Sequence, residues 1–274
     1  MRDYPLAFLL TILIFVIVIW NGYSVHQLAH ALGYIFAVWF GAFVTDVVVG
    51  IHPKAAIGFP IKRPVKWELI TILVCTTLGL LFLIVRFEGN WNNMKGIVKL
   101  SLMPLMLFVF PVVLAIIYLF RYKYKPRELG INLRYWYLPI FIHIVVGCIT
   151  LWVAPDKSHW KETLKEYGVL DMIFTGLVNA ALGEEFLRML LQTRLGAAFK
   201  NIGLGFVMAS MIWALMHVPN FGQSHAKEGW VPAFQGAVNI MPIGFLWGYV
   251  TYRTQSLIPS IFIHGFNLWG LQNF

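Results

Sequence analysis

Long apolar stretches run along this chain, and short polar, mostly basic segments separate them. A bilayer hydrocarbon core of about 30 Å is crossed by roughly 20 residues of α-helix. Nine stretches approach that length: 5–22, 28–50, 68–86, 98–120, 135–154, 169–191, 203–219, 234–252 and 257–272. The second is the weakest, because His26, His30 and Asp46 flank or interrupt it; if it only dips into the interface, the spans number eight. The pattern predicts an all-α fold, a polytopic transmembrane bundle of eight or nine helices with little folded mass outside the bilayer. It reads as one integrated domain, with N-terminal helices and basic loops over 1–134 and a second helical half over 135–274.

Composition agrees. Of 274 residues, 59% are hydrophobic and 12% charged, against about 45–50% and about 25% in soluble domains. So few polar residues could not cover a water-facing exterior of this size. In lipid the demand reverses, since apolar surface can face acyl chains and charge must be hidden. The first apolar run, Leu6 to Trp20, has no small-x-small cleavage site before a polar mature region, and it is expected to remain as a helix. Cys75 and Cys148 both lie inside apolar runs and suggest no disulfide framework.

Net charge is +9 and the isoelectric point about 9.6. The basic residues sit in loops between apolar runs, which argues for orientation in a membrane and against nucleic-acid binding. With the N-terminus inside and nine alternating spans, thirteen basic residues fall on the inner side and seven on the outer. The expectation is a multi-pass cell-membrane protein with a cytoplasmic N-terminus. The loop 155–167 is placed outside, where Asp156, Glu162 and Glu166 offset its lysines. No internal repeat of the kind found in inverted-repeat transporters is present, which ranks a proton-coupled transporter last.

A charge at bilayer depth costs on the order of 2.5–3.5 kcal/mol on insertion scales, so ionisable groups inside spans are functional candidates. His143 stands alone on an apolar face and reads as a helix contact, while Asp46 and Asp171 lie near span ends and read as structural. Glu184, Glu185 and Arg188 differ. Glu184 and Arg188 are four apart and share a helix face, so Arg188 is expected to hold Glu184 while Glu185 points about 100° away. An ion pair locking two helices explains these three residues equally well. Two later segments tip the balance: Trp213-Ala-Leu-Met-His217-Val-Pro-Asn220 and Pro259-Ser-Ile-Phe-Ile-His264-Gly-Phe-Asn267. Each carries a His inside a span with an Asn three residues on. Carboxylate, imidazole and carboxamide are the groups needed to deprotonate water and stabilise an oxyanion.

At these residues the chain resembles the CPBP intramembrane protease family, which includes the type II CAAX prenyl endopeptidases and the Abi proteins. The family pattern is Glu-Glu-x-x-x-Arg, then an aromatic-x-x-x-His helix, then a His followed by Asn three or four residues later. The resemblance covers roughly residues 170–270, with Trp213 where Phe is more usual. It implies an endopeptidase acting on a peptide or protein substrate, lipidated or not, with 135–274 as the catalytic core. Glu184 and His217 would activate a water, His264 and Asn267 would bind the oxyanion, and Glu185 and Arg188 would support them, with Asn220 a further candidate beside His217. The chain departs from the pattern in one place: only two residues separate the glutamates from Arg188. Anchored at Arg188, Glu184 falls on the family's second Glu and Gly183 on its first. Anchored at the Glu pair, Arg188 is turned by about 100°. A catalytically inactive scaffold or immunity-type protein of the same family is the alternative this departure raises.

A His-Glu-x-x-His motif is absent. The family has often been described as metalloproteases, yet a water activated by Glu and His needs no metal, and neither metal nor cofactor is expected. His26 and His30 have an i,i+4 spacing that can hold a metal but lack an acidic third ligand, and they read as an interfacial helix end.

Overall fold

The computed structural model describes residues 5–88, 112–153, 159–171, 173, 176–177, 181–219, 230–267 and 269–274. Every regular element among the described residues is helical. In order they are α1 (Pro5–Ser24), α2 (Leu28–Ile51), α3 (Val65–Glu88), α4 (Val112–Arg121, ending in a π-helical turn), a 3-10 turn (Pro126–Leu129), α5 (Leu138–Val153), α6 (His159–Asp171), α7 (Gly183–Ala198), α8 (Ile202–Leu215), α9 (Trp230–Thr254) and α10 (Ile258–Gly265).

Helices α1 and α2 are long and apolar enough to cross a membrane, and each buries only 28% of its most apolar stretch. Their outer faces carry Leu9, Val16, Trp20, Phe36 and Phe43 exposed, a surface suited to lipid. The supposed interruptions of the second span do not break it. His26 sits before α2, in a left-handed turn at φ 61°, so the His26/His30 helical spacing does not form. His30 is buried within α2, its Nδ1 3.2 Å from Gln27 Oε1. Asp46 accepts hydrogen bonds from Arg253 Nε at 2.6 Å and Tyr249 Oη at 2.7 Å, joining α2 to α9 as a structural contact.

Two expectations change. The outer loop 155–167 is largely helix, since α6 starts at His159; its backbone breaks at Gly168 (φ 72°). Within 169–191, α6 ends at Asp171, residues 173, 176–177 and 181–182 take π-helical geometry, and α7 starts at Gly183 with the two glutamates in its first turn. The stretch 257–272 holds only the eight residues of α10, about 12 Å at 1.5 Å per residue, too short to span. The chain then turns, burying Trp269 and Leu271. Hydropathy averaged over a long window does not mark this turn, because Phe266, Leu268, Trp269 and Leu271 keep the stretch apolar. Of 98–120, only residues from 112 on are described.

Two apolar clusters meet at the site. One gathers side chains of α1, α2, α5, α8 and α9; the other those of α3, α4, α7 and α10. Helices α7 and α8 form a tight hairpin. Lys200 takes φ 51°, and Asn201 caps α8 by accepting from Leu204 N at 2.9 Å. At their crossing a Cβ on Gly205 would lie 2.3 Å from Gly196 N, so only glycine allows this approach.

Glu68 and Arg194 form a second buried ion pair, with both side chains fully buried and Nε 2.7 Å from Oε2. The other carboxylate oxygen accepts from Tyr124 Oη at 2.6 Å and Arg63 N at 3.1 Å. The Arg194 guanidinium lies beside the rings of Tyr118 and Tyr124, 5.2 and 5.3 Å from their centres. This network ties α3 and α4 to α7, the helix that carries the glutamates. The connectors before α3, after α4 and before α10 are also bonded together: Gln255 Oε1 accepts from Ile57 N and Gly58 N, Asn132 Nδ2 donates to Gln255 O, and Leu257 N donates to Gly130 O.

Candidate active site

Three helix ends bring the polar residues together. Glu184 and Glu185 open α7, His217 stands two residues past the end of α8, and His264 stands near the end of α10. Helix α8 gives way there to a turn at Met216 and His217, after which Val218 and Pro219 are helical again. His217 N bonds Ala214 O at 3.0 Å in the closing turn.

Glu184 reaches the centre. Its Oε2 lies 3.5 Å from His217 Nε2 and 3.7 Å from His264 Nε2, and it accepts the indole N–H of Trp213 at 2.6 Å. Glu184 keeps 30% of its side chain exposed, whereas Glu185 is fully buried. Glu185 is the partner of Arg188, three residues on, and its other oxygen faces His264 Nδ1 at 3.1 Å. The expected Glu184–Arg188 pairing is therefore replaced by Glu185–Arg188. Spacings of three and four both place side chains together on a helix, and α9 decides between them. Arg188 Nη1 donates to Gly244 O at 2.9 Å, and a Cβ on Gly248 would lie 2.5 Å from that nitrogen. The bare backbone of α9 draws the guanidinium towards itself and Glu185, leaving Glu184 unpaired by Arg188.

Aromatic rings fix the imidazoles. Trp247 stacks on His264 with centroids 3.7 Å apart and planes 13° apart, and Trp213 packs edge-on against Trp247 at 5.2 Å. The ring of Trp213 fills the space left by Gly244, where a Cβ would lie 2.9 Å from it. None of Trp247, Gly244 or Gly248 was singled out from the sequence. An aromatic and two glycines on one face of an apolar helix carry no charge signal, though Gly244 and Gly248 are spaced four apart, as close-packed helix faces often are.

Hydrogen bonding sets the ring tautomers. His217 Nδ1 lies 3.0 Å from the carbonyl oxygen of Trp213, and His264 Nδ1 faces a carboxylate. Both neighbours only accept, so each Nδ1 carries a hydrogen, and each ring when neutral has its free lone pair on Nε2, the atom on the Glu184 side. Three acceptors thus surround one point, and a water molecule's two hydrogens suit such a point. Two imidazole nitrogens and a carboxylate oxygen are also a donor set that a divalent metal uses.

Asn267 lies just past α10, where its backbone N–H donates to His264 O at 3.0 Å; its side-chain Oδ1 is buried without a hydrogen-bond partner. Asn220 lies outside the described residues, as does the side chain of Asp171. His143 is apart from the cluster, packed on Trp269 with Nε2 3.4 Å from Phe262 O.

A buried Glu–Arg pair and a second glutamate beside two imidazoles thus sit in a helical frame with lipid-suited helices. Residues 166–269 match the family model described as type II CAAX prenyl endopeptidase Rce1-like, so over that segment the chain is similar to the CAAX-type membrane proteases. No curated protein and no solved structure matches the chain.

Proposed function

We propose that the protein is an active intramembrane endopeptidase that hydrolyses a peptide bond with a water activated by Glu184 and His217. The observation that carries this reading is the convergence of Glu184 Oε2 on both Nε2 atoms, at 3.5 and 3.7 Å, while Arg188 is engaged by Glu185. The short Glu-Glu-x-x-Arg spacing therefore leaves one carboxylate free for chemistry.

A water among the three acceptors gives one proton to the Glu184/His217 pair as its oxygen bonds to the scissile carbonyl carbon. The carbonyl π bond breaks and its electrons become the oxyanion. The carboxamide of Asn267 donates to that oxyanion, as does His264 Nε2 when it carries the proton passed across from Glu184. The tetrahedral intermediate then collapses: the C–N bond breaks, the proton leaves with the amine, and a carboxylic acid remains. One oxyanion donor is worth about 10²–10³ in rate, and one general base about 10²–10⁴. Glu185 and Arg188 act through His264, fixing its Nδ1 side. No metal enters these steps.

The chain is further read as multi-pass with a cytoplasmic N-terminus, supported by the basic-loop asymmetry. Its substrate is a peptide or membrane protein that reaches the site from lipid.

Purified protein in micelles, with a fluorogenic membrane peptide library, tests the reading. Glu184→Ala and His217→Ala should abolish cleavage while leaving expression and melting temperature near wild type. Wild-type cleavage by both variants would overturn it. Full genetic complementation by both would favour an inactive scaffold instead.

A further inference from the structure

We infer that Trp213 is a positioning residue for Glu184: its indole N–H holds the carboxylate in register with both imidazoles. This rests on the proposed role of Glu184 as the base. Four contacts meet at this one residue. Its Nε1 donates to Glu184 Oε2 at 2.6 Å, the same oxygen that faces both Nε2 atoms. Its carbonyl oxygen takes His217 Nδ1 at 3.0 Å and so fixes the tautomer that turns Nε2 to the centre. Its ring meets His264 edge-on at 5.9 Å and Trp247 at 5.2 Å. Its side chain is seated against Gly244 and is itself 2% exposed, so the ring has no room to move away.

Glu184 needs such a tether. It is partly exposed in the first turn of α7, and its chain of single bonds has several staggered states. Arg188, the group best suited to hold it, is taken by Glu185. Indole offers a donor and no acceptor, so it can steady the carboxylate without competing for the proton that the base must collect. A phenyl ring would fill the space and leave the carboxylate free to rotate.

The test removes only the N–H. 3-Benzothienylalanine installed at position 213 keeps the two-ring shape with sulfur in place of N–H, and Trp213→Phe provides a second donor-free ring. A hydrogen bond to a charged group is worth enough that kcat should fall about tenfold or more in both, with KM unchanged. A residue that merely filled space would leave the isostere at the wild-type rate. Independently of activity, the indole N–H bending band of Trp213, isolated as the Raman difference between wild type and Trp213→Phe, should shift towards the unbonded position in Glu184→Leu. An unshifted band, or an isostere with wild-type kcat, overturns the inference. Glu184→Gln separates the two claims: cleavage by that variant would remove the general-base reading, while the Raman band would still decide the bond.

Discussion

Removing Glu68 tests how far the structure of α7 depends on its distant brace. In Glu68→Leu, Arg194 loses the carboxylate 2.7 Å from its Nε, and Tyr124 Oη and Arg63 N lose their acceptor. The Arg194 side chain is fully buried, so its charge stays in a low-dielectric setting with the Thr193 hydroxyl and two tyrosine rings against it. Breaking a buried pair from one side costs about 3–5 kcal/mol, chiefly from the charge left behind. At roughly 2–4 °C per kcal/mol for a chain of this size class, the melting temperature should fall by about 6–20 °C. Glu68→Leu/Arg194→Leu removes both charges and should recover most of that loss, since apolar replacement of a whole buried pair is often neutral. Thermal unfolding in detergent, followed by tryptophan fluorescence, gives all three values plus Arg194→Leu for a complete cycle. A single variant within about 2 °C of wild type, or a double variant melting no higher than either single, would refute the reasoning.

Three further outcomes are expected. Gly248→Ala places a Cβ 2.5 Å from Arg188 Nη1; it should displace the guanidinium and lower kcat and melting temperature together, whereas Gly147→Ala, with open space around it, should change neither. On the polar side, the Lys62 ammonium and the Lys125 backbone N–H hold the Glu128 carboxyl below its ordinary value of 4.5. A lowered folded value means stabilisation that is present above pH 4.5 and lost as pH falls through the lowered value, so the stability gap between wild type and Glu128→Gln should be constant near pH 7 and close on acidification below about pH 4. Exhaustive chelation should leave peptide cleavage intact, and a loss that zinc alone restores would place a metal among the three acceptors.

The helical frame and the three motif-bearing segments were legible because both are local properties: run length marks a helix in lipid, and a Glu, His or Asn in such a run stands out by its cost. Partnership was less legible. Arg188 could reach either glutamate by spacing, and the choice falls to Gly244 and Gly248 on a helix some sixty residues away. Glu68 sits at the edge of a predicted span, where charge is unremarkable, and its partner is 126 residues distant. Helix α10 read as a span because hydropathy averages over a turn whose residues, Trp269 and Leu271, are buried by protein rather than lipid. His26, His30 and Asp46 looked like interruptions, yet one is in the turn, one is buried against Gln27 and one is paired across to α9.

The bonds among the connectors give that end of the molecule a collective character. Ser256 Oγ donates to Asn132 O at 2.6 Å, Leu257 N to Gly130 O at 2.8 Å, and Asn132 Nδ2 to Gln255 O at 2.9 Å, while Gln255 also holds Ile57 and Gly58. No strand of this knot can peel away without releasing its neighbours, so amide deuteration at Ile57, Gly58 and Leu257 should proceed at one shared opening rate. Because α10 starts at this knot and ends at His264, loosening any one connector would be felt as drift of the imidazole roughly two helical turns away.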